Sequence, residues 1–218
     1  MTLPALYKKL HKTYGPQHWW PAKTPFEVIV GAILTQNTAW GNVRKAILNL
    51  KRKNLLSVRR MSVVPRPVLA AAIRPAGYFN VKAQRLKNFM RFLDNAHGGK
   101  LKPLLSQRLP ALRKGLLSVN GVGPETADSI ALYAAKKSIF VVDAYTKRII
   151  SRIGLLPAFS SYETVQSYCM ARLPRRRALF NEFHALLVEH AKRVCLKKPR
   201  CRLCALRSDC RYGMEINC

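Results

Sequence analysis

Four cysteines near the C-terminus form the pattern in this chain that is most typical of a metal site. Their spacing is Cys-x5-Cys-x2-Cys-x5-Cys, within residues 195–210. Thiolates are soft ligands, so the choice lies between a [4Fe–4S] cluster and zinc. Structural zinc sites more often have two short Cys-x(2–4)-Cys pairs, and the single short pair present here favours the cluster. The predicted ligands are Cys195, Cys201, Cys204 and Cys210.

A single carboxylate, Asp143, lies between two segments of different character. The β-branched and aromatic residues 139–142 precede it, and a helical pattern over residues 144–152 follows and stops at Gly154. Asp143 therefore occupies an N-cap position, where aspartate is favoured. The carboxylate could serve only as this cap. The helix dipole would also keep it ionised, which suits a group that faces developing positive charge on a substrate.

A glycine turn separates two helical patterns ahead of this aspartate. Gly121 and Gly123 allow backbone conformations that other residues disfavour, and Pro124 suits the first position of the helix that follows. Such a unit directs backbone N–H groups toward an anion such as a phosphate. An ordinary connection between two helices has the same local sequence. The predicted anion-binding residues are Asn120, Gly121, Val122, Gly123, Glu125 and Thr126.

Helical patterns precede and surround these groups. Residues 3–14 predict a short helix, and residues 39–52 predict a basic amphipathic one. Between them, residues 24–34 are apolar on nearly every side, which predicts a central buried helix. Thr24 is its expected N-cap, and Pro25 is its expected first residue.

The direction of individual side chains is predicted from helical spacing. Within residues 80–95 we expect Val81 to face inward and Lys82 to face outward. His184 and His190 share a helical pattern with large apolar residues. They could be ligands, but a packed histidine is the more common outcome, and we expect both to be packed.

The composition predicts a polyanionic partner. The 218 residues include 39 Lys and Arg against 10 Asp and Glu, for a formal net charge of +29. The positive residues are spread through the chain and do not form a basic tail. A ribosomal protein or a membrane-surface binder would also be basic, but basic membrane anchors are usually local, so nucleic acid is favoured. The apolar fraction of 49% is ample for one large domain or two small ones.

The N-terminal sequence gives no indication of secretion. Residues 1–15 form a lysine-bearing helical pattern without the features of a signal peptide. The longest apolar run, residues 26–34, is interrupted by Glu27 and is too short to span a bilayer. We therefore expect a cytoplasmic, nucleoid-associated protein without a membrane partner. In a reducing compartment, six cysteines indicate metal ligands or thiols more than disulfides.

These motifs together resemble the endonuclease III superfamily of helix-hairpin-helix DNA glycosylases. Residues 120–127, followed by Asp143, are similar to that family's hairpin and catalytic aspartate, and residues 35–38 are similar to its DNA-inserting loop. The cysteines resemble its iron–sulfur loop, with a first gap one residue shorter than usual. The resemblance covers nearly the whole chain in the family's order. It implies that Asp143 is catalytic and that Gln36 and Asn37 enter the DNA stack.

The aromatic residues resemble the 3-methyladenine DNA glycosylase branch of this superfamily. The features shared are the segment Trp19, Trp20 and Pro21, the position of Trp40, and residues 74–80. The resemblance implies a base pocket at Trp20, Pro21 and Trp40, to which we add Trp19. Aromatic faces stack on a flipped base, and a cationic alkylated purine gains cation–π stabilisation there. The two adjacent tryptophans could instead anchor the N-terminal segment in the core.

One departure from the family predicts the reaction type. Members that also cut the DNA strand carry a lysine two residues after the second glycine of the hairpin, and this chain has Glu125 there. Glutamate cannot form the Schiff base that lyase chemistry requires. The resemblance therefore implies a monofunctional glycosylase that uses water. Strand cleavage would need a substitute lysine, such as Lys114, Lys136 or Lys147.

The sequence as a whole predicts an all-α, two-lobed monomer that binds double-stranded DNA containing damaged bases. Residues 24–136 would form a helical barrel that ends in the hairpin, and residues 1–23 with 137–218 a second lobe that carries the cluster loop. The expected activity is the base-excision removal of alkylated bases such as 3-methyladenine. One alternative is a glycosylase for uracil, mismatched thymine or oxidised pyrimidines. Another is a non-catalytic DNA-binding protein.

Overall fold

The predicted all-α fold is confirmed. The structure is a computed structural model that describes residues 1–20 and 22–215, and no β-strand is present among these residues. No helix within the described ranges combines the length and apolar character needed to cross a membrane. The α-helices are α1 Leu3–Tyr14, α2 Pro25–Leu34, α3 Trp40–Arg52, α4 Val58–Val63, α5 Arg66–Ala72, α6 Phe79–His97, α7 Leu101–Ser106, α8 Leu109–Leu117, α9 Pro124–Ser129, α10 Ala144–Ile153, α11 Tyr162–Arg172, α12 Arg177–Arg193 and α13 Arg211–Glu215.

The described residues group into two compact units. The first unit comprises the described residues between 20 and 137. The second unit comprises residues 1–19 together with the described residues from 138 onward. The chain therefore enters and leaves the first unit once, and the second unit contains both ends of the described chain.

In the first unit, α2 is the central helix. Residues 26–34 are all buried, as the near-continuous apolar sequence predicts. The helix packs against α3, α6 and a π-helical turn, Ile130–Ala134, that continues α9. Thr24 caps α2 by accepting a hydrogen bond from the backbone N–H of Glu27 at 3.1 Å, and Pro25 is its first residue.

The prediction for the faces of α6 is wrong at two neighbouring positions. Val81 is 50% exposed, whereas Lys82 is 1% exposed and its ammonium group is enclosed by oxygen atoms. Helical spacing indicates which positions share a face, but the atoms of the neighbouring elements decide which face is buried. A buried lysine is tolerated here because its charge meets hydrogen-bond acceptors.

In the second unit, α12 packs against α1 and α10. Residues 139–142 are buried and lead directly into α10. Asp143 is the N-cap of this helix, as predicted, and Gly154 ends it with a φ of +89°. This segment therefore fixes the position of Asp143 from both sides, by burial before it and by the helix after it.

Candidate functional site

Asp143 is held at the start of α10 by a backbone hydrogen bond. Its Oδ1 atom accepts the N–H of Thr146 at 2.7 Å, which is the bond expected of an N-cap aspartate. The carboxylate side chain retains 13% exposure, so it is mostly enclosed but still accessible from one side. The cap therefore both orients the group and stabilises its negative charge.

His184 of α12 approaches the other oxygen of the same carboxylate. Its Nε2 atom lies 3.5 Å from Oδ2 of Asp143, and its own side chain is only 7% exposed. Burial by itself raises the pKa of Asp143. The approach of His184, followed by the bonds from Thr146, more than offsets this and holds the pKa of the carboxyl below its ordinary value. Asp143 is therefore an ionised carboxylate in a largely dry setting.

The hairpin turn lies between α8 and α9 in the first unit. Gly121 has a φ of +92°, which favours glycine, and a Cβ atom there would collide with the side chain of Arg85. Asn120, Gly123 and Glu125 are exposed, whereas Val122 and Thr126 are buried. The turn is thus anchored by Val122 and Thr126, while Asn120 and Glu125 present polar side chains outward.

Gln36 is bound to this hairpin. Its Nε2 atom donates to the carbonyl oxygen of Gly121 at 3.0 Å and to Oγ1 of Thr126 at 2.8 Å. Arg85 donates in turn to Oε1 of Gln36. The neighbouring Asn37 is exposed and has a φ of +52°. The two predicted insertion residues therefore differ: one amide is engaged within the unit, and the other faces outward.

Lys82 supports the loop that carries Gln36. Its ammonium group donates to the carbonyl oxygens of Leu34 and Ala76, each at 2.8 Å, and to Oγ1 of Thr38. Burial, assisted by the charge of Arg85, lowers the pKa of Lys82 to about 8. The three acceptors match the three N–H donors of an ammonium group.

Three aromatic side chains cluster in the first unit. The Trp20 and Trp40 rings meet edge to face, with centroids 5.1 Å apart. Tyr133, on the π-helical turn, lies 4.9 Å from the Trp20 ring. In the second unit, the ammonium group of Lys192 lies 5.6 Å from the Trp19 ring centroid. The predicted pocket residue Pro21 lies outside the described residues.

The four predicted ligand cysteines line one cavity in the second unit. Backbone and side-chain N–H donors point at their sulfur atoms. Arg152 donates to Sγ of Cys195 at 3.3 Å, and the N–H of Leu206 donates to Sγ of Cys204 at 3.4 Å. Such N–H donors stabilise thiolate ligands, so this donor set fits a thiolate-bound iron–sulfur cluster. No three potential ligands in the described part of the chain lie close enough together to hold a single metal ion.

The cysteine segment is attached to α10 by two arginines. Arg148 donates to the carbonyl oxygens of Ala191 and Cys195 at 3.3 and 2.9 Å. Arg152 also donates to the carbonyl oxygen of Leu196 at 2.6 Å. The helix that Asp143 caps therefore carries, on its later turns, the groups that hold the first cysteine.

The second histidine of α12 lies in the same region. His190 is buried, as expected, and its Nδ1 atom lies 2.8 Å from the hydroxyl group of Tyr14. Its Nε2 atom lies 3.8 Å from Sγ of Cys204. Burial lowers the pKa of His190 to about 4, so the ring is neutral at pH 7.

Some residues of these sites escaped the sequence interpretation. Packing was expected of His184, but its contact with Asp143 was not. Tyr133 stands in a run of small residues, where a lone large aromatic is a usable signal of a specific contact. Lys82 and Arg85 belong to a basic helical face that was expected to contact solvent. No feature of the sequence separates them from ordinary solvated residues.

The glycine hairpin between two helices and the mostly enclosed aspartate at a helix N-cap are the features that resemble helix-hairpin-helix base excision repair proteins. Comparison with known families agrees, because the family described as "HhH-GPD superfamily base excision DNA repair protein" matches residues 30–175. The chain belongs to this superfamily, and the resemblance to endonuclease III is confirmed.

Individual relatives extend this result over nearly the whole chain. The protein is 46% identical over 206 residues to a candidate DNA repair glycosylase of Methanocaldococcus jannaschii, with 94% of each chain covered. The structure of the H. pylori 3-methyladenine DNA glycosylase bound to 1,N6-ethenoadenine is 25% identical, with a TM-score of 0.76 over 88% of this chain and 98% of that one. An endonuclease III–DNA covalent intermediate, at 20% identity, shares the fold with a TM-score of 0.84 over 98% of this chain and 96% of that one.

Proposed function

We propose that this protein is a monofunctional DNA glycosylase that removes alkylated bases, such as 3-methyladenine, from double-stranded DNA. The observation that carries the proposal is the ionised, mostly buried carboxylate of Asp143 at the N-cap of α10. Family membership supports base excision repair as the process. The choice of lesion is supported by the aromatic cluster and by the ligand of the H. pylori relative.

Asp143 would act on the sugar. Breaking the N-glycosidic bond sends its electron pair to the departing base and leaves positive charge on the sugar ring. A carboxylate in a largely dry setting stabilises that charge strongly. Water then adds to the sugar carbon, and Asp143 accepts the proton that the water loses. The reaction needs no enzyme-bound covalent intermediate.

The aromatic cluster would accept the base. An alkylated purine carries positive charge and leaves as a neutral base, so it needs little acid catalysis. Trp20 and Trp40 offer ring faces and edges for stacking and cation–π contact. Trp19 and Pro21 would complete the pocket. An aromatic pocket without an acid is suited to a base that is already a good leaving group.

Glu125 makes strand cleavage by this protein unfavourable. It is exposed at the start of α9, where a carboxylate cannot supply the amine that a Schiff base requires. Lyase-proficient relatives carry lysine there, by the resemblance noted above. We propose that the product is an intact strand with an abasic site.

The hairpin and the adjoining loop would hold the DNA. Exposed Asn120 and the backbone N–H groups near Gly123 would contact a phosphate. Gln36 and Asn37 would occupy the space that the flipped base leaves. For Gln36 this requires the release of its bonds to the hairpin. A net charge of +29 favours association with any DNA before a lesion is found.

A [4Fe–4S] cluster would be held by Cys195, Cys201, Cys204 and Cys210. When bound, it would cross-link the basic C-terminal loop. Arg148 and Arg152 would keep the first cysteine in position from α10. The purified protein should be brown and contain iron. A colourless, zinc-loaded protein after anaerobic purification would contradict this assignment.

Base release from methylated DNA is the test of the proposed function. Free bases are separated by chromatography, and strand breaks are scored before and after hot alkali. We expect release of 3-methyladenine, with breaks that appear only after alkali. Breaks before alkali would contradict the monofunctional assignment. Activity confined to duplexes with uracil, mismatched thymine or oxidised pyrimidines would overturn the lesion assignment. DNA binding without release from any of these would indicate a non-catalytic protein.

A further inference from the structure

We infer that His184 is a positioning residue that fixes the orientation of the Asp143 carboxylate. The inference deepens the proposed function and rests on it, because it assigns a partner to the proposed catalytic group. Its basis is the approach of Nε2 of His184 to Oδ2 of Asp143 at 3.5 Å. His184 would touch neither the sugar nor the base and would act through Asp143 alone.

The two oxygens of Asp143 have different partners. Oδ1 accepts the N–H of Thr146 at 2.7 Å, and this one bond leaves the carboxylate able to turn about its last side-chain torsion. Nε2 of His184 provides a second point of contact, at Oδ2. Two contacts on two oxygens define the plane of a carboxylate, and one contact does not.

His184 is itself held in place by burial. It lies on α12, between the buried residues Phe183 and Ala185, and its helix packs against α10. With 7% exposure, the imidazole cannot swing away from Asp143 without opening the core. Burial of an imidazole costs free energy because its polar atoms lose their hydration. A histidine at this position is therefore expected to face another polar group. Asp143 is the acidic group that faces it, with 3.5 Å between Nε2 and Oδ2.

Orientation matters for the reaction because the charge on the sugar develops at a defined place. A carboxylate stabilises this charge best when an oxygen already faces it, without reorganisation during the reaction. A misplacement of about 1 Å can cost roughly 10²-fold in rate. We therefore expect a large effect of His184 on the rate of bond cleavage and a small effect on DNA affinity.

Three substitutions at His184 separate the effect of the N–H donor and its position from the effect of side-chain volume. His184→Gln retains an N–H donor close to the position of Nε2, His184→Asn is polar but shorter, and His184→Phe retains volume without a donor. In single-turnover base release, we expect the Phe and Asn variants to react about 10²-fold more slowly than wild type and the Gln variant to remain within about tenfold. The Kd for lesion DNA should stay within about threefold for all three. Wild-type rates in the Phe and Asn variants would overturn the inference, and the Asn variant serves if the Phe variant does not fold.

A double-mutant cycle distinguishes a positioning role from general damage. If His184 acts through Asp143, adding His184→Asn to Asp143→Asn should lower the residual rate by less than about twofold. Multiplied effects would contradict the inference. Thermal unfolding of each variant accompanies the cycle.

A readout independent of turnover separates failure of the inference from failure of the proposed function. Crystal structures of wild type and His184→Asn should show the Asp143 carboxylate in one orientation and in a rotated or divided one, respectively. The same single orientation in both would overturn the inference. Absence of base release by wild type from every DNA tested would instead overturn the proposed function.

Discussion

Asp143 and Lys82 are both charged side chains that bond to the end of a helix. The charge of Lys82 is fully enclosed, whereas that of Asp143 remains partly accessible. The ammonium group of Lys82 has a partner for each of its donors: the carbonyl oxygens of Leu34 and Ala76 and the hydroxyl group of Thr38. It is 1% exposed. No part of this charge is available to a ligand, so Lys82 serves the structure of the first unit.

The carboxylate of Asp143 is arranged differently. A backbone N–H occupies one oxygen, His184 lies near the other, and the side chain retains 13% exposure. A carboxylate oxygen can accept more than one hydrogen bond, so capacity remains for a water molecule or for interaction with a cation. A buried charged group whose hydrogen-bond donors are all paired therefore serves the structure. A charged group that keeps hydrogen-bonding capacity and solvent access is a candidate for chemistry.

Removing the charge of Asp143 should have the largest effect in the protein. We expect Asp143→Asn to lower single-turnover base release by about 10³-fold or more, because the developing positive charge loses its stabilising partner. Asparagine is a good N-cap, so α10 should remain folded. DNA affinity, measured by fluorescence anisotropy, should change little. Wild-type turnover in this variant would refute a catalytic role for the Asp143 carboxylate.

Removing the charge of Lys82 should affect stability in the first place. Lys82→Met keeps the length of the side chain but removes the ammonium group that donates to the oxygens of Leu34, Ala76 and Thr38. We expect a loss of about 3 kcal/mol in the free energy of unfolding, the typical cost of breaking a buried charged network. Urea denaturation measures this loss. Lys45→Met, at an exposed position on α3, is the matched control and should stay within about 0.5 kcal/mol of wild type.

An equal loss in the two lysine variants would show that the bonds of Lys82 do not stabilise the loop at residues 35–38. A loss of base release by Lys82→Met at full stability would also contradict a purely structural role for Lys82. In that case the buried ammonium group would have a role in the reaction that its enclosure does not indicate.

The charge of Asp143 should also be visible in the dependence of stability on pH. Its pKa in the folded protein lies below the ordinary value of 3.8. The folded state therefore binds this proton less tightly than the unfolded state, and the resulting stability is present above pH 3.8 and is lost as the pH falls through the folded pKa. We expect the stability difference between wild type and Asp143→Asn to be largest near pH 7 and to shrink toward pH 3. Urea denaturation over this range checks it, and a difference that grows toward low pH would contradict it.

Local features of the sequence were sufficient to predict the helix ends. Thr24, Pro25, Asp143 and Gly154 all lie where their cap and turn preferences indicate, because a capping bond joins residues only a few positions apart. The all-α fold and the family also followed from short motifs in a fixed order. The assignment of DNA insertion, base pocket and cluster ligands stays a prediction.

Contacts between distant segments were not predictable in the same way. Lys82 and Val81 exchange the faces assigned to them, because the oxygens that enclose Lys82 come from the ends of other helices. His184 meets Asp143 only after α10 and α12 have packed together. A single sequence contains the periodicity of each helix but not the identity of its neighbour, and both misses are of this kind.

The smallest predicted effect concerns Gln36, whose amide links the loop to the hairpin. Gln36→Ala removes the bonds to Gly121 and Thr126, so we expect a loss of about 1 kcal/mol in the free energy of unfolding. Asn37→Gly is the matched control, because glycine accepts the φ of +52° at this exposed position and should leave stability within about 0.5 kcal/mol. Urea denaturation compares the two. Equal stabilities would mean that the bonds of the Gln36 amide contribute nothing measurable to folding, and that their release for DNA costs little.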